Sequence, residues 1–180
     1  MHQYINEMKE HEFVLWVIGA NAKDKGKFVY ELPKNVVEVH EVFLDDALRL
    51  KDSGKMLHAF TEEETNSLKE LMLCRRPNWE ILFRLYHDQK LNPMSFLRSE
   101  EFLNILTECC IKDYPYTPFA DAFHTMRSML LPVLYLMGSE VPKADVYHAI
   151  CTGYGGLLAC LGGHVYKKKV LLTEHGIYTR

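Results

Sequence analysis

Near its carboxyl end the chain carries two short strings whose residue types suit ligand chemistry. The first, Thr152-Gly153-Tyr154-Gly155-Gly156, puts glycines where a helix should begin. Orphan backbone N–H groups and the positive end of a helix dipole would there meet an anionic or hydroxyl-rich ligand. The spacing is not G-x-G-x-x-G, and the same small residues also allow close packing of helix on strand. The second string, Glu174-His175, sets a hydrogen-bond acceptor beside an imidazole that titrates near neutrality. Neighbours on a strand face opposite ways, so only one of the two can enter a cleft. His148, within an earlier strand, reads as a satisfied histidine of the core or the cleft floor. Cys151 lies near a helix start that would lower its pKa, but it has no identifiable base and reads as a small packing residue. No G-x-S-x-G elbow, P-loop, H-E-x-x-H or EF-hand spacing occurs, which takes support from hydrolase and metal readings. Lys167-Lys168-Lys169 reads as a solvated turn.

Those strings need a parallel sheet to place them. Asp145 to Ile150 reads as a strand, Gly153 to Tyr166 as a helix with Thr152 at its N-cap, and Lys169 to Thr173 as the next strand. That is a βαβ unit, and ligands in such sheets lie beyond the carboxyl ends of the strands, where both strings fall. Upstream, Tyr4 to Glu12 looks like the tail of a helix. Phe13 to Ile18 is a continuous apolar run expected to be a strand covered on both faces, and Val36 to Leu44 a second strand beside it. From about Thr61 the period changes to 3.6. Thr61-Glu62-Glu63-Glu64 is a capping box, with Leu68, Leu71 and Met72 as the apolar face behind it. Pro77 opens a second helix with Trp79, Leu82, Phe83 and Tyr86 in line, and Ser99 caps a third with Phe102, Ile105, Leu106 and Cys109 on one face. Thr117-Pro118 begins a fourth, aligning Phe119, Ala122, Phe123, Met126 and Leu130, which Pro132 should kink or end before Gly138. The organisation expected is a Rossmann-like domain in two pieces, 1–58 and 139–180, with a helical insertion at 59–138.

Composition bounds the function. The 180 residues are 48% hydrophobic, 25% charged and 12% aromatic, a globular profile that excludes disordered and fibrous chains. A chain of this length is one domain or a little more and buries roughly 70% of its unfolded surface. Twenty-one Lys and Arg against 24 Asp and Glu give a net charge of -3 and a pI near 6.3, without the basic excess that nucleic acid demands. Five cysteines without C-x-x-C fit neither a disulfide framework nor a zinc knuckle and suit a reducing, cytoplasmic setting. Met1 to Glu12 has no signal-peptide core, and the apolar run Met129 to Met137 is too short to span a bilayer.

The string DVYHAICTGYGGLLACLGGHVYKKKVLLTEHGIYTR (Asp145 to Arg180) resembles the corresponding stretch of the PelF-like glycosyltransferases, which make the Pel exopolysaccharide of bacterial biofilms. The resemblance extends over Glu10 to Leu48 (EHEFVLWVIGANAKDKGKFVYELPKNVVEVHEVFLDDAL) and Pro118 to Met137 (PFADAFHTMRSMLLPVLYLM), so most of the chain is similar to that family's N-terminal domain. Residues 61–111 match more loosely. The resemblance implies an α/β fold: a Rossmann-like parallel sheet with helices on both faces and a helical insertion, an incomplete N-terminal half of a GT-B glycosyltransferase. It implies a retaining, family 4 transferase with a nucleotide sugar, UDP-glucose, as donor, a polysaccharide as acceptor, no metal and no other cofactor. Carried over by position, His175 would lie near the transferring sugar, with Thr152, Gly153, Tyr154, Glu174 and Gly176 lining the acceptor side of the cleft. Cys151 stands where a serine would be expected.

Two features of that family fall outside these 180 residues: a strand with a Gly-Gly-Val-type loop ahead of the first helix, and the C-terminal donor-binding domain with its E-x7-E motif. Glu62 to Glu70 and Glu100 to Glu108 have that spacing but belong to the helical insertion and carry no weight. In a 3-2-1-4-5 sheet the absent strand would be central, between Val14 to Ile18 and Asp145 to Ile150, leaving two apolar edges unpaired. The expectation is a chain inactive alone and prone to self-association, with peripheral association to a membrane-bound polysaccharide export complex in the whole enzyme. The other reading is a non-catalytic Rossmann-like binding or interaction module.

Overall fold

The computed structural model describes residues 2–52, 54 and 58–174. The chain folds as two compact units: one built from the chain up to Asp46 and from Glu140 onward, the other Ala47–Ser139. The result is a mixed α/β fold with small parallel sheets and flanking helices.

The first unit opens with helix α1 (His2–Glu7), followed by strand β1 (Phe13–Gly19) and strand β2 (Val36–Phe43). β1 is apolar throughout, and it pairs with β2 in parallel. Phe13 opposes Val36 but Val14 opposes Glu38, so Val37 is an extra, bulged residue, and it is exposed. Asn35 joins helix to strand: its side-chain amide donates to the carbonyls of Ile5, Met8 and His11 at 2.9, 3.1 and 3.2 Å, while its own carbonyl accepts from Phe13 N at 2.8 Å. The bond to Ile5 satisfies a carbonyl that the end of α1 would otherwise leave orphaned, and those to Met8 and His11 tie down the segment leading into β1. Gly19 ends β1 opposite the buried Phe43, and a Cβ there would lie 2.6 Å from the Phe43 ring. A short helix, α2 (Leu44–Leu48), follows β2.

In the second unit, α3 (Glu62–Met72) starts with the expected capping box. Thr61 Oγ1 accepts from Glu64 N, and Glu64 Oε2 accepts from Thr61 N at 3.0 Å. Asn78 caps the short α4 (Trp79–Phe83), so Pro77 stands just outside it, and the chain runs on through a π-helical turn at Arg84–Asp88. Leu82, Phe83 and Tyr86 are buried as their spacing predicts, but Trp79 remains exposed against Phe83. After α5 (Pro93–Phe96), Ser99 caps α6 (Glu100–Lys112), which buries Phe102, Ile105, Leu106 and Cys109. Aromatic rings join these elements, with centroids 5.7 Å apart for Phe60 and Phe96, 5.6 Å for Phe96 and Phe102, and 5.9 Å for Phe102 and Phe123.

α7 (Phe119–Met137) carries Pro132 in its interior and ends before Gly138, as expected. Pro removes one helical hydrogen bond, yet Leu134, Leu136 and Met137 beyond it are completely buried, and that burial outweighs the lost bond.

The chain then returns to the first unit as β3 (Val146–Ala149), α8 (Tyr154–Tyr166) and β4 (Lys169–Leu172), with β3 and β4 parallel. β1 pairs with β2, and β3 with β4; among the described residues no ladder joins the two pairs.

Candidate functional site

β3, α8 and β4 form the βαβ unit that carries both candidate strings. Its two strands have exact alternation: Tyr147 and Ala149 in β3, in register with Val170 and Leu172 in β4, share one face. α8 packs on that face at Tyr147 and Val170 through Gly162 and Gly163. A methyl group on Gly162 would overlap the Tyr147 ring, and one on Gly163 would overlap Val170. The glycines thus let the helix lie flush on the strands. Tyr147 is also fixed by its hydroxyl, which donates to Pro142 O at 2.7 Å, and burial pushes its pKa up. At the amino ends of the pair, Lys168 and Asp145 form an exposed ion pair at 2.8 Å that holds the Asp145 carboxyl below its usual range.

The carboxyl edge is built differently from the sequence expectation at one point. Thr152 is not the N-cap of α8; Gly153 is, at φ +70° and ψ -131°, and no side chain caps the helix. A side-chain-bearing residue is strained in that conformation, whereas glycine is not. The first helical bond runs from Leu157 N to Gly153 O at 3.0 Å, so the amides that begin α8 have no partner within the helix. Thr152, Gly153 and Tyr154 are all exposed. Cys151 is exposed too, and its Sγ lies 3.3 Å from where a Cβ on Gly155 would stand, so the thiol packs against the first turn.

Across this edge, Thr173 N donates to Ala149 O at 2.9 Å, carrying the ladder one residue beyond β4, and Glu174 follows, exposed. His148 Nε2 and Thr173 Oγ1 are hydrogen-bonded at 2.7 Å, so His148 is satisfied, as its place in the strand suggested. The structure therefore brings Thr152, Gly153, Tyr154 and Glu174 to the carboxyl ends of two neighbouring parallel strands. His175 and Gly176 lie outside the described residues.

The loop after β1 occupies the corresponding edge of the other pair, and sequence reasoning did not single it out. Asn21 caps a 3-10 turn at Ala22–Asp24, Asp45 Oδ1 accepts from Ala22 N at 3.2 Å, and both carboxylate oxygens of Glu41 accept from Gly26 N at 3.1 Å. Asn-Ala-Lys-Asp was the available signal for the turn; the distant acceptors Glu41 and Asp45 gave none. A surface hollow of about 580 Å³ lies between α1 and residues 31–35, bordered by His2, Lys9 and Lys34. It is at the amino ends of β1 and β2, the edge opposite to the one that binds ligands in such sheets. Among the described residues no group of three or more His, Cys, Asp or Glu could hold a metal ion, and no helix is long and apolar enough to cross a membrane.

A family profile, DUF3492, described as a domain of unknown function, matches residues 1–180. The chain belongs to this family. DUF3492 is a PelF-like domain family, in agreement with the resemblance drawn from the sequence, and it is consistent with the N-terminal region of a PelF-type glycosyltransferase. No curated protein and no solved structure matches the chain.

Proposed function

We propose that this DUF3492 chain is the acceptor-side, N-terminal portion of a retaining GT-B glycosyltransferase that moves a hexosyl unit from UDP-glucose to a growing exopolysaccharide. The observation that carries the reading is the family match over the whole 180 residues. Physical support comes from the carboxyl edge of β3 and β4, where uncapped amides at the start of α8 and the exposed Thr152 and Glu174 suit a hydroxyl-rich ligand. In this reading a second domain holds the nucleotide and its diphosphate. This half presents the acceptor hydroxyls through Thr152, Gly153, Tyr154, Glu174 and Gly176, and His175 stabilises charge that develops at the transferring sugar. In this reading transfer needs both domains together, and no metal takes part.

The test is turnover of the full-length enzyme with UDP-glucose. His175→Ala should lower kcat by well over about tenfold, the scale of losing one positioned acid, base or donor. Unchanged turnover would remove His175 from the site. UDP-glucose should bind only when both halves are present; tight binding to this chain alone would move the donor site here.

A further inference from the structure

The carboxyl ends of β3 and β4 are joined by a side-chain bond as well as by the ladder. His148 and Thr173 lie on the face of the pair that turns away from α8, together with Val146 and Leu171, which are 48% and 52% exposed. An apolar β-branched residue would serve the strand there equally well, so burial does not explain an imidazole. The ring is nonetheless held in place. Tyr4 meets it edge-on, with centroids 5.9 Å apart and planes at 78°, and Tyr4 is itself edge-on to Phe13 at 6.1 Å. Held this way, Nε2 reaches Thr173 Oγ1 at 2.7 Å. Thr173 is thus tied to β3 twice, by its amide to Ala149 O and by its hydroxyl to His148, at the last position before Glu174.

We propose that His148 is a positioning residue: through Thr173 it fixes the exit of β4, and hence Glu174, in register with the Cys151–Tyr154 turn. The proposal rests on the transferase reading above. A polar bond exposed to water adds little to global stability, because water competes for both partners. Its effect belongs to where the exit is held, and a displacement of the order of 1 Å at a reacting group is costly in rate.

The test compares His148→Phe and Thr173→Val, which abolish the bond at similar shape, with His148→Gln and Thr173→Ser, which retain hydrogen-bonding groups, all in the full-length enzyme. Amide exchange at Thr173 and Glu174 should accelerate about tenfold or more in the first pair, with the exchange of α8 unchanged. In the same pair kcat should fall about tenfold while the KM for UDP-glucose stays within about twofold. Gln and Ser should restore most of both, and the double variant should be no worse than either single one. Unchanged exchange at Thr173 and Glu174 overturns the proposal, as does faster exchange with full kcat, or losses that multiply in the double variant. A wild-type enzyme that consumes no nucleotide sugar would instead overturn the transferase reading, and with it the catalytic purpose of the bond, while the exchange data still decide whether His148 holds the exit.

Discussion

Glu64 is a carboxylate at 4% exposure, and it remains ionised because several donors converge on it. Burial works to raise its pKa, but the Thr61 amide, the His58 side chain at 3.1 Å and the Arg84 guanidinium at 3.3 Å together hold it below the ordinary value of 4.5. A group whose folded pKa is lowered stabilises the fold above its unfolded value and ceases to do so as pH falls through the folded one. Glu108 follows the same sign: hydrogen bonds from Lys112 and Lys69 bring it to about 2. That pairing also explains why the E-x7-E spacing of Glu100 and Glu108 is structural. Acid unfolding followed by circular dichroism should show stability falling below about pH 4.5, and Glu64→Gln should flatten that slope and cost roughly 1–3 kcal/mol at neutral pH. A wild-type slope in the variant would contradict this role. The capping box was legible because Thr61 and Glu64 are three residues apart; His58 and Arg84 were not, since neither spacing marks a partner for Glu64.

At the scale of elements, the glycines of α8 separate into two kinds. Gly153 is required by its backbone, at φ +70° with nothing within 4 Å of an added Cβ. Gly162 is required by its neighbour, because a methyl there overlaps the ring of Tyr147. Gly153→Ala should cost about 1–3 kcal/mol through strain alone, and Gly162→Ala a similar amount through overpacking. Only the second should be partly relieved by Tyr147→Leu, and urea unfolding of the two double variants would show whether the mechanisms differ as described. The sequence showed α3, α6 and the βαβ unit clearly, since their periods and caps are local. It misplaced the N-cap of α8, because a threonine before a glycine is the commoner cap, and for α7 it left open whether Pro132 would kink the helix or end it. That outcome depends on burial of Leu134, Leu136 and Met137, which is tertiary.

For the molecule as a whole, the paired strands set the limits. A sheet of two strands has little independent stability, and a strand with free N–H and C=O groups along one side invites another chain. β4 is thinly covered, with Val170, Leu171 and Leu172 at 39%, 52% and 51% exposure. Purified alone, these 180 residues should self-associate, and light scattering after size exclusion should report species above the monomer mass of 21.0 kDa. A clean monomer with a sharp cooperative melt would contradict that. The parallel pairs and the edge that carries Thr152 to Tyr154 and Glu174 were legible from apolar runs and the βαβ spacing; the His148–Thr173 bond was not, because no pattern relates residues 25 apart. The most direct measurement is to incubate the full-length enzyme with UDP-glucose and a polysaccharide acceptor, and to follow UDP release together with the anomeric configuration of the new linkage. Saturable UDP release with sugar joined to polymer in the donor's own configuration is the predicted result, whereas a folded, nucleotide-binding enzyme that transfers no sugar, or transfers it with inversion, would contradict it.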